Sequence, residues 1–412
     1  MKSHATRNFL LALFATVTAV VVAVVVGAAL FIFGAWIGGS HPGVLPSGLR
    51  EALVGSEEEV FVQEAIDRVG EDYYRRLPPG RLADLAIGGM VDGLNDRFSN
   101  YFTPAEYRRF QESQNSEFSG IGVSIVPARR GLRVVTVYKD APARKAGIRP
   151  GDVITAAGPR PLKGLSSEKA ASLIKGPKGT SVLLTVDRGG RERRVRVERD
   201  EIRVPVVASK LVERCGKKVG VVALSQFSSG AHAEVYEAIR KLEKKGAQAW
   251  VFDLRGNGGG LVDEAQLVAS AFLSDGPIVT TRGRNVPQRT LNATGKPVVP
   301  RNDPVIVLVN GGSASASEIV AGALQDRGRA KLLGERTYGK GVFQQVIELS
   351  NGGALDITSG QYFTPKGRNL GGRGVSRGTG LKPDIVVKVP KGSTRDTQLR
   401  SATDRLAGCA NR

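Results

Sequence analysis

The segment Val309-Asn-Gly-Gly-Ser-Ala-Ser-Ala-Ser-Glu318 follows the apolar run Val305–Val309 and opens a stretch with helical periodicity. A strand that passes through a tight turn into a helix presents a hydroxyl near the positive end of the helix dipole. A single lysine flanked by glycines, Lys340, follows 25 residues after the middle serine, Ser315. A lysine whose pKa is lowered by burial can act as the base for such a hydroxyl. These residues predict hydrolysis by a serine–lysine pair.

The small number of histidines supports this prediction. The 412-residue chain has only three, His4, His41 and His232, and only His232 falls in a region expected to fold. A Ser-His-Asp triad, as in a trypsin-like protease, is therefore nearly excluded. Scattered histidines and two distant cysteines also offer no metal-ligand spacing, and no glycine-rich loop has the ending of a phosphate cradle. We expect neither a metal nor a cofactor.

The N-terminal run Phe9–Phe33 contains 25 residues without a charge and follows Lys2, His4 and Arg7. A helix of this length spans a bilayer of about 30 Å, and the basic residues ahead of it favour an inside N-terminus. A cleaved signal peptide has a shorter apolar stretch, about 7–15 residues, although Ala28-Ala29 is small enough for cleavage. We favour an uncleaved membrane anchor, and in either case the remaining chain is expected to be exported.

The two cysteines, Cys215 and Cys409, stand in polar, turn-like settings. An oxidising compartment favours disulfides, so we expect a bridge that ties the C-terminus to the core. The alternative is that both are unpaired small apolar residues. The net charge of +20 favours contact with anionic lipid or an anionic envelope, but a general arginine bias explains it equally well. Nucleic acid is not an expected partner, since aromatic and basic residues do not interleave.

Periodicity and turn residues divide the chain. Apolar residues at helical spacing predict two helices separated by Pro78-Pro79-Gly80, and Thr103 is a candidate cap for a third. From Ser119 short strands and turns follow, and from about residue 203 strands alternate with helices. We expect seven regions along the chain. In order they are a cytoplasmic tail (1–8), a membrane anchor (9–33), a linker (34–55), a helical region (56–115), a β-rich domain (116–202), an α/β core (203–390) and a loosely held polar tail (391–412). The fold class is α/β and multidomain, with a mixed, largely parallel sheet in the core.

Four blocks of sequence resemble the carboxyl-terminal processing peptidases, tail-specific serine peptidases of family S41 with an embedded PDZ domain. The resemblance covers roughly residues 56–390, and the serine block with its lysine at this distance is highly specific. The blocks are Ala86-Ile-Gly-Gly-Met-Val-Asp-Gly-Leu94 with Ser99-Asn-Tyr-Phe102; Gly120-Ile-Gly-Val123 with Ala146-Gly-Ile-Arg-Pro-Gly-Asp-Val-Ile154; Asp253-Leu-Arg-Gly-Asn-Gly-Gly-Gly260; and Ser313-Ala-Ser-Ala-Ser-Glu318 with Gly339-Lys-Gly341 and Gln344. The resemblance implies that the β-rich domain is a PDZ domain inserted before the peptidase core.

The resemblance also implies three catalytic roles. Ser315 is the implied nucleophile, Lys340 the base and Gln344 a supporting amide. If Lys340 opens a strand, Lys340 and Gln344 point to the same face, and the amide can orient the amine. Taken alone, each serine of the block could be a helix cap and Lys340 a surface turn residue. Glu318 is expected to pair with a nearby cation or to stabilise the first helical turn.

In this family one oxyanion donor is the N–H of the residue after the nucleophile, here Ala316. The second comes from the glycine-rich turn, for which we choose Gly260, with Gly259 next. Each well-aimed donor lowers the barrier by about 2.7–4 kcal/mol. The segment Leu94-Asn-Asp-Arg-Phe-Ser99 lacks a proline common in relatives, a departure expected to affect the helical region and not the chemistry.

The loop Gly120-Ile121-Gly122-Val123 is the implied peptide-binding site of the PDZ domain. Its backbone N–H groups would bind a terminal carboxylate, while the peptide adds as a strand to the sheet edge. We expect peptides or proteins with apolar C-termini as partners. The predicted function is that of a membrane-anchored, extracytoplasmic serine endopeptidase that cleaves exported or membrane proteins near their C-termini. The alternative is a non-catalytic PDZ scaffold, against which the intact Ser315, Lys340 and Gln344 argue.

Overall fold

The computed structural model describes residues 24–27, 56–114, 117–371, 379–390 and 392–409. The chain forms two compact units that divide between Met90 and Val91. The predicted cytoplasmic tail and linker lie outside the described residues, as does the predicted anchor Phe9–Phe33 apart from 24–27. Within the described part, no helix is both long and apolar enough to cross a bilayer.

Two helices begin the part described from residue 56 onward: α1 (Glu57–Asp72) and α2 (Arg81–Gly93). Ser56 and Glu59 form a capping box at the start of α1. The Ser56 hydroxyl accepts the Glu59 N–H, and the Glu59 carboxylate accepts the Ser56 N–H. The predicted pair of helices separated by Pro78-Pro79-Gly80 is confirmed.

The rest of the described chain contains nineteen strands and seven further helices. In order they are β1 (Asn100–Phe102), α3 (Pro104–Gln114), β2 (Glu117–Gly120), β3 (Val123–Ala128), β4 (Gly131–Val137), α4 (Pro142–Lys145), β5 (Val153–Ala157), β6 (Arg160–Pro161), α5 (Ser167–Ile174), β7 (Ser181–Arg188), β8 (Arg191–Glu198), β9 (Asp200–Arg203), β10 (Val207–Arg214), β11 (Lys217–Leu224), α6 (Ala231–Glu243), β12 (Ala249–Asp253), α7 (Val262–Ser270), β13 (Pro277–Gly283), β14 (Arg289–Asn292), β15 (Val305–Val309), α8 (Ala316–Asp326), β16 (Lys331–Gly334), β17 (Val342–Glu348), β18 (Ala354–Phe363), β19 (Ile385–Val386) and α9 (Thr397–Ala407).

The β-rich region forms one sheet in the order β3-β4-β5-β7-β8, with β6 paired to β5. Helix α5 closes its core, since Ala170 and Ile174 pack with Ile154 and Leu184. Among the described strands, β3 pairs only with β4 and so forms an edge of the sheet. An edge strand leaves backbone N–H and C=O groups open to a further strand.

The core region is built on a six-stranded sheet in the order β10-β11-β12-β15-β16-β19. Strand β10 is antiparallel to β11, and the other neighbouring pairs are parallel. The expected mixed, largely parallel sheet is confirmed. All five residues of β15 are buried because helices cover both faces, which explains its unbroken apolar run. Val305, Val307 and Val309 join the core under α6, α7 and α8, whereas Ile306 and Leu308 face α9.

The C-terminal region differs from the expectation of a loosely held tail. Residues Thr397–Ala407 form α9, whose Leu399, Ala402 and Leu406 pack against the sheet. Three apolar residues at helical spacing are enough to dock the helix, although the surrounding composition is polar. The expected bridge between Cys215 and Cys409 is present, with the two Cα atoms 5.8 Å apart.

A second sheet in the described chain is antiparallel throughout. Its order is β1-β18-β13-β14, and β17 pairs along β18. Strand β1 also pairs with β18, so that Asn100 stands opposite Asp356. Because β1 and β17 both pair with β18, the residues just before β1 lie close to those just before β17 and within it.

Candidate active site

Ser315 lies at the junction between the turn after β15 and the start of α8. Its backbone has φ 55° and ψ −116°, a conformation that is rare for a residue with a side chain. Such strain costs about 1–3 kcal/mol and persists only where the surroundings enforce it. A sharp strand-to-helix turn of this kind presents the nucleophilic serine in α/β-hydrolases.

The three serines of the turn have different hydrogen bonds. The Ser313 hydroxyl donates to the Leu254 carbonyl at 2.8 Å, and the Ser317 hydroxyl donates to the Asn257 carbonyl at 2.8 Å. Among the described residues, the Ser315 hydroxyl donates to no backbone carbonyl. The turn therefore uses its outer serines to hold its shape and leaves the middle one available for chemistry.

The phenol of Tyr362 on β18 lies close enough to the Ser315 hydroxyl to influence the pKa of Tyr362. Tyr362 is buried, and burial raises its pKa well above the ordinary range for tyrosine, although the hydrogen bond with Ser315 opposes this shift. The phenol is therefore neutral at physiological pH and can exchange a hydrogen bond with the serine hydroxyl.

Glu318 joins the turn that carries Ser315, called the serine turn below, to the loop that carries Lys340. Its Oε2 accepts the Ser315 N–H at 3.1 Å and the Lys340 N–H at 2.9 Å. Its Oε1 accepts the Thr337 hydroxyl at 2.5 Å and the Gly339 N–H at 2.8 Å. Burial raises the pKa of the fully buried Glu318, while these four hydrogen bonds favour the ionised carboxylate. One carboxylate thus fixes two segments that are 25 residues apart in sequence.

The Lys340 side chain lies in a partly buried setting. Its Nζ donates to Gln344 Oε1 at 2.7 Å and lies 5.0 Å from the centre of the Phe98 ring. Burial lowers the pKa of Lys340, and the carboxylates of Asp356 and Asp96 oppose this shift. A lowered pKa increases the fraction of neutral amine, the form that can accept a proton.

A short chain of hydrogen bonds supports Gln344. Its Nε2 donates to Thr358 Oγ1 at 3.1 Å, the Thr358 N–H donates to Ser99 Oγ at 3.0 Å, and Ser99 donates to Asp96 Oδ2 at 2.6 Å. The expectation that Leu94–Ser99 lies away from the chemistry is wrong. The pairing of β1 with β18, which the sequence did not reveal, places this segment beside Lys340.

The glycine-rich turn lies against Ser315. A Cβ added to Gly259 would be 2.8 Å from the Ser315 Cβ and 3.1 Å from the Ala316 nitrogen, so only glycine fits there. The Gly259 N–H donates to Asn257 Oδ1 at 2.9 Å. The N–H groups of Ala316 and Gly260, in contrast, donate to no acceptor in the described chain. These two N–H groups are therefore available to a ligand, whereas the Gly259 N–H is already bonded.

Asn257, which the sequence did not single out, connects the two turns. It is fully buried, and its Nδ2 donates to the Leu224 carbonyl at 2.9 Å. Its own carbonyl accepts the Ala314 N–H at 3.1 Å and the Ser317 hydroxyl. A lone asparagine inside a glycine run is the signal that could have identified it, because glycines cannot supply side-chain hydrogen bonds.

The predicted peptide-binding loop Gly120–Val123 connects β2 to the edge strand β3. Gly122 has φ 74°, and a Cβ there would overlap the Cβ of Ala141. The Ile121 carbonyl accepts the Ala143 N–H at 2.9 Å, which fixes the loop against α4. Ile121 itself is buried in the core of the domain. The loop is therefore held in one conformation at the end of an open sheet edge.

Comparison with known proteins identifies the family. A family model for peptidase family S41 matches residues 218–387, and a model for a PDZ domain matches residues 119–198. The chain is 34% identical over 347 residues to a probable CtpA-like serine protease of Staphylococcus epidermidis, covering 84% of this chain and 68% of that protein. The chain belongs to peptidase family S41. A probable CtpA-like serine protease of Staphylococcus aureus is 35% identical over 324 residues, 78% of this chain and 63% of that protein.

A solved structure of a photosystem II D1 C-terminal processing protease also aligns with this S41 peptidase. The two are 28% identical, the alignment covers 81% of this chain and 94% of that chain, and the TM-score is 0.48. The family predicted from the sequence blocks is confirmed by the family models and the staphylococcal relatives. The protein is therefore a serine-type peptidase that contains a PDZ domain.

Proposed function

We propose that this S41 peptidase uses Ser315 as the nucleophile and Lys340 as the general base, with Gln344 as the supporting amide. The observation that carries the proposal is the pair of hydrogen bonds that one oxygen of Glu318 accepts from the backbone N–H groups of Ser315 and Lys340. Because both N–H groups bind the same oxygen, the distance between the backbone nitrogens of Ser315 and Lys340 cannot exceed the sum of these two short hydrogen-bond lengths. A long lysine side chain starting from there can reach the serine hydroxyl.

The present arrangement corresponds to a resting state of the proposed pair. Lys340 Nζ donates to Gln344 and not to Ser315, whose hydroxyl lies close to the phenol of Tyr362. Catalytic hydrogen bonds are often absent or long before substrate binds. Rotation about the lysine side chain brings Nζ to the serine while both backbones stay bound to Glu318. Gln344, held by Thr358, then accepts one amine hydrogen and leaves the lone pair directed toward the serine.

In the proposed reaction the Ser315 Oγ attacks the peptide carbonyl carbon while neutral Lys340 takes the hydroxyl proton. The negative oxygen that forms is stabilised by the N–H groups of Ala316 and Gly260, each worth about 2.7–4 kcal/mol. The leaving amine takes the proton from the Lys340 ammonium, which yields an acyl-enzyme. A water molecule then attacks the ester, Lys340 takes its proton, and the serine recovers that proton on release.

Substrate capture is assigned to the PDZ domain. The loop Gly120–Val123 offers a terminal carboxylate its backbone N–H groups, and β3 offers an open edge for strand addition. Val123 and Ile125 are partly buried apolar residues beside this edge, which favours apolar tails. We propose that the substrates are exported or membrane proteins cut near their C-termini outside the cytoplasm, with Phe9–Phe33 as the membrane anchor. The Cys215–Cys409 disulfide supports an oxidising location.

The test is cleavage of an unstructured polypeptide with an apolar C-terminus, compared with the same polypeptide ending in charged residues. Wild type is expected to cut the apolar-tailed form faster. Ser315→Ala is expected to lose on the order of 10⁴-fold or more in kcat. Ser209→Ala, at an exposed serine on β10 of the same region, is the matched control and is expected to keep full kcat. Equal, slow cleavage by wild type and Ser315→Ala would instead support the non-catalytic PDZ scaffold.

A further inference from the structure

The C-terminal helix α9 lies beyond the residues that the S41 family model matches, yet it covers one face of the peptidase sheet. Leu399, Ala402 and Leu406 pack against apolar residues of β11, β12, β15 and β16. An isolated helix of this length is only marginally stable in water. The helix therefore depends on attachments to the sheet and at its two ends.

The N-terminal end of α9 is attached to the glycine-rich turn through Arg255. The guanidinium donates to both carboxylate oxygens of Asp396 at 2.8 Å each, to those of Asp253 at 2.9 and 2.6 Å, and to Gln398 Oε1 at 3.1 Å. These bonds engage all three nitrogens of the guanidinium, which has five N–H donors. The Arg255 side chain is only 18% exposed, so loss of Asp396 removes two hydrogen bonds from a largely buried charge and leaves it bound to Asp253 and Gln398 alone.

Arg255 begins the turn that carries the proposed oxyanion donor. On one side of it, the Leu254 carbonyl accepts the Ser313 hydroxyl at 2.8 Å. On the other side, the Gly256 N–H donates to Asn310 Oδ1 at 2.9 Å. Both neighbours of Arg255 are thus bonded to the serine turn. A shift of Arg255 displaces the residues that fix the positions of the nucleophile and the oxyanion donors.

The C-terminal end of α9 is attached by a covalent bond. Gly408 ends the helix with φ 69°, and Cys409 follows it and is bonded to Cys215 in the turn between β10 and β11. An exposed ion pair between Asp404 and Arg214 at 3.5 Å also lies at this end, and such pairs contribute little. The disulfide therefore adds a covalent attachment to the packing of Leu406 against the sheet.

We propose that α9 is a positioning element of the peptidase site, in which Asp396 holds Arg255 and the Cys215–Cys409 bridge keeps the helix docked. The inference rests on the proposed function, because the affected step is peptide cleavage at Ser315. A dithiol reductant reverses the docking. Its thiolate attacks one sulfur of the bridge, and its second thiol resolves the mixed disulfide. Two electrons pass to the bridge, two thiols remain on the chain, the reductant becomes a disulfide, and cleavage slows.

The first arm of the test separates positioning from helix capping. Asp396 caps α9 by accepting the Leu399 N–H, and serine at this position keeps a cap but cannot form the bidentate pair with Arg255. Asp396→Ser is expected to lower kcat about tenfold or more with KM little changed, since a misplacement of about 1 Å can cost about a hundredfold. Asp404→Asn, a carboxylate change on the same helix away from Arg255, is expected to leave both constants unchanged.

The second arm uses the intact chain with its bridge oxidised or reduced by excess dithiothreitol, and the thiols are counted in each state. Reduction is expected to lower kcat to the level of a double variant, Cys215→Ser with Cys409→Ser, whose own rate does not respond to the reductant. The inference is overturned if wild type with two free thiols cleaves as fast as the oxidised form, or if Asp396→Ser keeps full kcat. If oxidised wild type cleaves no peptide at all, the proposed function itself is rejected. This outcome is distinct from the two results that overturn the inference about α9.

Discussion

Replacing Glu318 by glutamine tests whether this residue acts through its hydrogen bonds or through its charge. In Glu318→Gln one carboxylate oxygen becomes an NH₂ group. If the NH₂ takes the position of Oε2, it faces the N–H groups of Ser315 and Lys340, and both lose their acceptor. If it takes the position of Oε1, the Thr337 hydroxyl, which already accepts the Leu381 N–H, can turn and accept from the NH₂ group, while the Gly339 N–H and the Thr337 hydroxyl proton lose Glu318 as their acceptor.

The second orientation is favoured because it leaves one backbone N–H unpaired rather than two, and the Thr337 hydroxyl, unlike a backbone N–H, can rotate its proton toward another acceptor or water. One such donor costs about 1–3 kcal/mol of unfolding free energy. Glu318→Ala removes the acceptor of all four donors, which costs roughly 4–12 kcal/mol if no water enters. This range is comparable to the total stability of a typical domain, about 5–15 kcal/mol. Glutamine is therefore expected to keep the Ser315–Lys340 arrangement and part of the activity, and alanine to lose both.

Urea unfolding followed by the fluorescence of Trp250, which is buried in the peptidase core on β12, measures these differences. Peptide cleavage by the same samples gives the activity. Glu237→Gln, an exposed glutamate of α6, is the control for the same chemical change and is expected to alter neither quantity. Equal destabilisation by glutamine and alanine at Glu318 would show that the hydrogen bonds do not set the difference, and loss of cleavage in Glu318→Gln without any loss of stability would show that the charge itself is required.

Three further outcomes are expected. Cleavage should increase with pH on a limb below the ordinary lysine pKa of 10.5, because burial lowers the pKa of Lys340 and only the neutral amine takes the serine proton. The pKa of Lys340 is lower in the folded protein than in the unfolded chain, so between these two pKa values the unfolded chain binds more protons. The contribution of Lys340 to the free energy of unfolding therefore rises with pH in that window. A kcat that does not change with pH contradicts the assignment of Lys340 as the base. Gly259→Ala should lower kcat because the new Cβ meets Ser315, whereas Gly258→Ala, with nothing within 4 Å of its Cβ, should cleave normally. Gly122→Ala should raise KM for apolar-tailed substrates by distorting the loop against Ala141, and an unchanged KM with a folded domain removes the loop from substrate capture.

The strongly patterned segments of the chain were predictable from sequence. The apolar run Val305–Val309 and the periodic stretch up to Asp326 correspond to β15 and α8. Helix α5 (Ser167–Ile174) likewise buries Ala170 and Ile174, two apolar residues one helical turn apart. In each case local periodicity and tertiary packing agree, because the apolar positions of the pattern are the buried ones.

The contacts that build the site could not be read from the sequence. Glu318 looks like an ordinary first-turn glutamate, and only the fold brings Thr337, Gly339 and Lys340 to it. Helix α9 was hidden by its polar composition, since three apolar residues suffice once a sheet face is available. Phe98 reaches Lys340 through strand pairing across more than 240 residues, a distance over which periodicity carries no information.

The most direct test of the proposed Ser315–Lys340 pair is covalent labelling by a small serine-directed acylating probe, with the modified peptide identified by mass. We expect a single adduct on Ser315, formed faster as the pH rises and strongly reduced in Lys340→Ala. An adduct on Ser313, on Ser317 or outside this turn would contradict it, as would undiminished labelling of Ser315 in folded Lys340→Ala.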